Sequence, residues 1–408
     1  MTKTVFLDRT TPPHIATLVV IAGLSALNMN LILPSLPGIA TYYQADYALV
    51  QLAVSGYLAV TALLQLIIGP LSDRYGRRPV LIASLVFFLA ATAAAPFAPD
   101  IETFLVIRML QAGVVSGMVL SRAIVRDIVG AEQAASMIGY VTMGMTLAPM
   151  IGPILGGFMD ELFGWQSVFA FLFIFGLAAL LMLLADLGET NLNRSPSMLE
   201  QFGAYPELLR SRRFWGYSLT ATFASGSFFS FLGGGPFVAT RILNMQPSEL
   251  GLYFIFIALG YMTGNFLSGR FSSRIGLNRM MVTGCIVSAA GMVFTLLLFL
   301  AGFWHPLAFF GPIFFLGLGN GVTLPSANAG IVSVRPHLAG SASGLGGAMM
   351  IGGGAGLSAL AGAILSVETG PYPLIIVMLV SCILSFFTTL YVIRVENSLD
   401  ADAKIGRA

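Results

Sequence analysis

The chain has 408 residues, of which 57% are hydrophobic and only 9% charged, with a formal net charge of +2 and a mean hydropathy of +0.87. Soluble globular domains carry about 25% charged residues, so this composition excludes that class and identifies a polytopic membrane protein. Its basic residues are scattered among loops rather than massed on one face, which gives nucleic acid nothing to bind.

Residues 1 to 14 are polar, and the apolar run from Ile15 to Ile39 is longer than a signal-peptide core and lacks a small-residue cleavage site. It reads as a first, retained helix. Crossing ~30 Å of hydrocarbon takes about 20 mostly apolar residues. Such runs fall near 15–38, 47–70, 79–98, 103–122, 134–158 and 165–186, then near 214–237, 250–270, 280–300, 307–331, 339–365 and 372–394. The expected fold is an all-α membrane protein with twelve transmembrane helices in two six-helix bundles, 1–186 and 214–408. A polar cytoplasmic linker, 187–213, joins them, and Met198 to Leu209 has the makings of a short interfacial helix. With both termini cytoplasmic, all of the 20 Lys and Arg except Arg108, inside a span, and Arg241, in an outer loop, lie on the inner side. Cys285 and Cys382 both lie in apolar runs, as buried free thiols would.

Between the second and third runs stands Gly69-Pro70-Leu71-Ser72-Asp73-Arg74-Tyr75-Gly76-Arg77-Arg78-Pro79, a cluster of charge in a chain otherwise poor in it. Gly69 and Gly76 permit close backbone approach, and Asp73 has arginines within reach. At an offset of 200 residues Gly69, Arg74 and Gly76 recur as Gly269, Arg274 and Gly276. In the fifth span Gly144, Ala148, Gly152 and Gly156 form a ladder on one helix face, which Gly344, Ala348, Gly352 and Gly356 repeat in the eleventh. Small residues at that spacing let a second helix approach, either as static packing or as a seam that moves. The repeat itself predicts two pseudo-symmetric halves.

Three of these segments resemble motifs of the major facilitator superfamily. Gly69 to Pro79 is similar to its loop motif, Arg108-Met109-Leu110-Gln111-Ala112-Gly113 to its fourth-helix motif, and Gly144 to Gly157 to its fifth-helix antiporter motif, with Pro149 and Pro153 in place. Leu33-Pro34-Ser35-Leu36-Pro37, Arg126-Asp127, Glu189-Thr190 and the segment Ser230 to Val238 resemble the bicyclomycin and chloramphenicol resistance type of drug:proton antiporter. The resemblance implies alternating access, with the two halves rocking about a central cavity. It implies a latch on the inner side formed by Asp73, Arg74, Arg77 and Arg78 against neighbouring helix ends and Asp127. It also places the Arg108 side chain inward, where Gln111 lies one turn away on the same face. There the two could donate to a planar acceptor on a substrate; the alternative is an arginine that snorkels to the headgroups.

Members of that type commonly carry an aspartate where this chain has Asn30, an amide that cannot titrate. Apart from Asp186, the last residue of the sixth, no Asp or Glu lies within the twelve runs, so four readings stand open. Protons could couple through Asp46, Asp73 or Asp127 at span ends. An anionic substrate on Arg108 could instead leave down the membrane potential, or Asn30 could be an engineered or trapping substitution; as a fourth, Asn30 simply packs. Candidate lining residues for a mostly apolar cavity are Asn28, Asn30, Tyr57, Arg108, Gln111, Phe223, Phe231, Asn265 and Asn320. No zinc motif, acidic pair within a span or phosphate-cradling loop is present, which argues against an intramembrane enzyme or an ATP-driven pump. No metal or cofactor is expected. The sequence therefore predicts a multi-pass inner-membrane exporter of small amphipathic compounds, including antibiotics. It is expected to be coupled to protons and to work as a monomer among lipids. The alternative is a potential-driven exporter of an anionic or zwitterionic metabolite such as an amino acid derivative.

Overall fold

The computed structural model describes residues 4–129, 131–191, 205–335 and 338–405. Among these the secondary structure is helical, in the order α1 (Ile15–Asn30), α2 (Leu36–Tyr42), α3 (Tyr47–Val50), α4 (Leu52–Tyr75), α5 (Arg77–Ala94), α6 (Ile101–Leu110), α7 (Val115–Ile128), α8 (Ala131–Phe163) and α9 (Gln166–Asp186). Then follow α10 (Tyr205–Leu209), α11 (Arg212–Phe237), α12 (Pro247–Ile275), α13 (Leu277–Leu300), α14 (Pro306–Ser333), α15 (Ala339–Ile364) and α16 (Tyr372–Ile405). Ten helical segments among the described residues are long and apolar enough to cross a membrane. Two further long helices, α8 and α11, cover the fifth and seventh of the apolar runs.

The first span is not one rod. The helix α1 ends at Asn30, a tight 3-10 turn follows at Leu33–Ser35, and α2 resumes at Leu36. Pro34 and Pro37 cause this, because neither can donate the backbone hydrogen bond that would continue α1. The fourth span is also interrupted, without a proline, by a 3-10 turn at Gln111–Val114 between α6 and α7, which begins three residues after Arg108.

The chain forms two compact units, Met1–Leu199 with Met245–Phe254, and Glu200–Asn244 with Ile255–Ala408. In the first, α1, α5, α7 and α9 bury a core that includes Leu18, Leu24, Leu85, Phe88, Leu172 and Leu183. In the second, hydroxyl groups join α11, α13 and α16: Ser385 Oγ donates to Thr220 O at 3.0 Å, Ser381 Oγ donates to Phe223 O at 2.7 Å, and the buried Cys285 Sγ lies 3.3 Å from Ser385 Oγ. Both cysteines are free and buried. Large apolar side chains such as Ile174, Leu181, Phe266, Leu297 and Phe387 are exposed, a perimeter that lipid satisfies and water does not.

Candidate functional site

Within the first unit a polar cluster is sealed among apolar helices. Arg108 projects from α6 and is 1% exposed. Its Nη1 donates to Asn28 Oδ1 at 2.9 Å and Gln111 Oε1 at 2.8 Å, and its Nη2 donates to Asn28 O at 2.8 Å. The guanidinium lies over the Tyr57 ring, 4.4 Å from its centroid, a cation–π contact. Asn28 Nδ2 donates to Tyr57 Oη at 3.1 Å, and Gln111 Nε2 donates to Thr92 Oγ1 at 2.8 Å. Snorkelling does not describe this arginine. Amide oxygens and an aromatic face hold it, and no described carboxylate pairs with it. Its Nε has no acceptor, so one donor is left over in a place where an unsatisfied group is costly.

Asn30, the last residue of α1 before the break, donates from Nδ2 to Ala26 O at 2.7 Å while its Oδ1, also buried, has no partner. The ladder on α8 presses on this spot. A Cβ at Gly152 would stand 3.0 Å from Asn30 Cβ, and one at Gly156 would stand 1.9 Å from Leu31 O. Only glycine lets α8 reach the backbone of the broken helix. Ala148 is buried, and Pro153 O lies against Gly251; the surroundings of Gly144 and Pro149 fall outside what is described. The second unit does not copy this contact. A Cβ at Gly344 or Gly356 would meet nothing within 4 Å, whereas Gly353 and Gly354, off the 344/352/356 register, press on Thr222 and Phe229.

Of the expected binding residues of the second unit, Asn265 lies against the turn next to Asn320, since a Cβ at Gly321 would stand 2.8 Å from Asn265 N. Phe231 is buried among Phe309 and Phe310. Phe223 is half-buried. Asn265 turns its amide back to Tyr261 O at 2.9 Å. Asn320 is buried with its Nδ2 unpartnered.

The charged turn between α4 and α5 is built around Arg77. Gly76 adopts φ +105°, and Gly276 in the corresponding turn between α12 and α13 adopts φ +90°; each donates to the serine four residues back, Ser72 O or Ser272 O, at 2.9 Å. This identity of conformation at an offset of 200 residues is the repeat seen in the sequence. In the first unit the Arg77 side chain reaches Ser72, Asp73 and Asp127, the last at 3.1 Å. Arg74 stands apart from these contacts and lies near the Tyr75 ring. Arg78 Nε donates to Leu187 O at 2.8 Å.

The residue that organises the turn is Glu189, whose place in the sequence, 113 residues from Gly76, gives no sign of that role. Its carboxylate accepts from Arg77 N at 2.9 Å and Arg78 N at 3.3 Å, so it closes the N-terminus of α5, where backbone donors and the helix dipole favour an anion. A Cβ at Gly76 would stand 2.3 Å from Glu189 Oε2. Thr190 Oγ1 donates to Asp127 at 3.2 Å, and Asn191 Nδ2 to Asp73 O at 2.9 Å. Next to it, the buried Asp186 accepts from Leu7 N, His14 N and Thr17 Oγ1 at 2.8, 2.8 and 2.6 Å, tying the polar N-terminal segment to the end of α9. A glycine–glutamate pair separated by over a hundred residues leaves no periodic trace, which is why spacing did not disclose it.

In the second unit Glu396 takes a related place, accepting from Arg213 Nη2, Tyr217 Oη and Asn278 Nδ2, each at 2.7 Å. There the carboxylate binds side chains, and a Cβ at Gly276 would meet nothing within 4 Å.

The family model described as Major Facilitator Superfamily matches residues 18–357 and 235–405. Among similar proteins, the chain is 32% identical over 381 residues to an uncharacterized MFS-type transporter YdgK of Bacillus subtilis, covering 90% of this chain and 92% of that protein. It is 29% identical to a chloramphenicol resistance protein of Pseudomonas aeruginosa, covering 78% and 76%. It is 28% identical to a bicyclomycin resistance protein homolog of Haemophilus influenzae, covering 85% and 88%. A bacterial homolog of the human lysosomal transporter Spinster, solved in an inward-facing and occupied conformation, shares the fold with a TM-score of 0.69 at 16% identity, covering 94% of this chain and 96% of that one. The pinned turn, the glycine ladder against a broken first helix and this agreement along nearly the whole chain lead to one assignment: the chain belongs to the major facilitator superfamily.

Proposed function

We propose that this protein is an efflux transporter of the inner membrane that carries small amphipathic compounds, antibiotics among them, by alternating access coupled to proton entry. In this reading twelve spans form two six-helix bundles, both termini are cytoplasmic, and the working unit is a monomer that catalyses no chemical conversion. The observation that carries it is the Arg77 clasp. A buried arginine shared by two carboxylates, on a turn held by Glu189, is an ionic contact that can open and close without loss of the fold. The resistance transporters to which the chain is similar along most of its length support export as the direction. Asn28, Tyr57, Arg108 and Gln111 form the polar end of the substrate chamber in this account, with Asn30, Phe223, Phe231, Asn265 and Asn320 lining its remainder.

One observation favours the second reading, export of an anionic or zwitterionic metabolite driven by the membrane potential: Arg108 is buried without a carboxylate partner among the described residues. A potential of 100 mV is worth about 2.3 kcal/mol per charge moved. Proteoliposomes loaded with labelled chloramphenicol, given a pH gradient and an electrical potential separately, distinguish the two. Export driven by the pH gradient alone supports proton coupling. Export that ignores the pH gradient and follows the potential supports the second reading.

A further inference from the structure

The proton-coupled reading needs a carboxylate that changes protonation state, and Asn30 cannot supply it. The carboxylates whose surroundings are described can be taken in turn. Asp73 and Asp127 are ion-paired with Arg77, Glu207 with Arg335, and Glu396 with Arg213. Asp186 and Glu189 are filled by backbone donors. Asp46, Asp100, Glu102, Glu161, Glu249 and Glu368 are exposed, and the half-buried Asp8 in the N-terminal segment accepts from Thr10 N and Thr10 Oγ1. Asp160 remains: it is partly buried and, among the described residues, forms no ion pair.

Its position makes the burial pointed. Asp160 lies in the last turn of α8, just past the apolar run 134–158, one turn beyond Gly156 on the ladder helix. Its Oδ2 comes within 3.8 Å of where a Gly38 Cβ would be, so the carboxyl sits over the far side of the α1–α2 break. The fully buried Ser35 hydroxyl, in the 3-10 turn of that break, is near enough to act on this carboxyl and has no other partner. The segments packed against this end of α8 bring no cation. The break segment Leu33 to Tyr42 has no charged residue, the start of α9 offers Gln166, and the Met245 to Phe254 segment offers only the exposed Glu249. On α8 itself the neighbour is the exposed Glu161.

We propose that Asp160 is a proton-binding site at the outer end of the first unit, where the exchanged proton enters from outside water. This rests on the proton-coupled reading above. The proton bonds to a carboxylate oxygen of Asp160 and turns a charged group into a neutral acid; no other bond is made or broken. The new O–H has Ser35 Oγ as an acceptor, and in the ionised state the same hydroxyl can donate, so both states are served by one partner. Removing the charge lets the outer end of α8 settle on the broken first helix at the seam that also holds Asn30. Burial pushes the Asp160 carboxyl up to about 6, while Ser35 opposes the rise.

The test is an infrared pH titration of the full chain in lipid nanodiscs, from about pH 8 to about pH 5, following the carbonyl band of a protonated carboxyl group. A band rising with a midpoint near 6 in the unaltered chain, absent in Asp160→Asn and shifted to higher pH in Ser35→Ala, is the expected result. A band that survives unchanged in Asp160→Asn, or a midpoint that ignores Ser35→Ala, overturns the assignment. A pH gradient imposed on proteoliposomes of the unaltered chain tests coupling separately. If Asp160 titrates while transport ignores the gradient, it is proton coupling that falls. If the gradient drives transport while the band ignores Asp160→Asn, it is Asp160 that falls.

Discussion

Gly156→Ala and Gly356→Ala place the same methyl group at positions that the repeat makes equivalent, and the structure gives them opposite signs. At Gly156 the new carbon would stand 1.9 Å from Leu31 O and 2.9 Å from Leu31 C, both backbone atoms that no rotamer change can move aside. Relief requires α8 to withdraw from the break in α1, and overpacking of this kind costs about 1–3 kcal/mol. At Gly356 the methyl would meet nothing within 4 Å, and alanine in a helix interior is favoured over glycine by about 0.8–1.0 kcal/mol. One kcal/mol moves the melting temperature of a unit of 150–250 residues by roughly 2–4 °C. Gly156→Ala should therefore melt about 2–12 °C below the unaltered chain, and Gly356→Ala about 2–4 °C above it. Thermal unfolding of the purified variants, followed by tryptophan fluorescence, measures both. Equal shifts, or a Gly156→Ala variant as stable as Gly356→Ala, would refute the claim that the ladder of α8 is held against the first helix in a way that α15 does not reproduce.

Gly76→Ala should be destabilised by about 1–3 kcal/mol from its positive φ alone and further by displacement of Glu189, whereas Gly276→Ala, with φ +90° and open space, should show only the conformational cost; paired thermal melts give the difference. Glu189→Gln keeps an acceptor for Arg77 N and should leave the turn shielded, while Glu189→Ala should speed thiol labelling of a cysteine placed at Tyr75; equal rates would remove Glu189 from its role. Arg108→Lys replaces a planar fork with a point charge and leaves Asn28 and Gln111 acceptors unfilled, at about 1–3 kcal/mol each, so a reduced yield of folded protein in size-exclusion chromatography is expected. Asp186→Ala should expose the N-terminal segment to limited proteolysis, because Leu7 N, His14 N and Thr17 lose their common acceptor.

The positions of the helices were legible because apolar runs of membrane-spanning length are unambiguous at this composition. Breaks within them were harder. Pro34 and Pro37 announce a discontinuity, but the 3-10 turn after Arg108 begins at Gln111 with no proline, and there tertiary contacts set the backbone. The loop motif marked Asp73, Arg77 and Asp127 as partners, and they meet. It did not single out Arg77 as the centre or Arg74 as peripheral, since the side on which each arginine falls depends on the turn at Gly76. Asp160 escaped notice for a similar reason: it stands two residues past an apolar run, where sequence reads a solvated loop, and only the fold buries it beneath Ser35 and Gly38.

The two units share a repeat and yet close their equivalent turns by different means. In the first, Glu189 caps the backbone of α5 directly and is continuous in sequence with Asp186, so the N-terminal segment, the end of α9 and the charged turn form one bonded assembly. In the second, Glu396 holds the side chains of Arg213, Tyr217 and Asn278 and leaves the backbone at Gly276 uncapped by it. A backbone cap fixes both the position and the direction of the helix start, whereas a side-chain bond leaves the backbone freer by the rotamers between them. Motion of the charged turn in the first unit must therefore carry the start of α5 with it. In the second unit Glu396 reaches the start of α13 through the Asn278 side chain, and the backbone there is closed by Met280 N donating to Gly276 O at 3.2 Å.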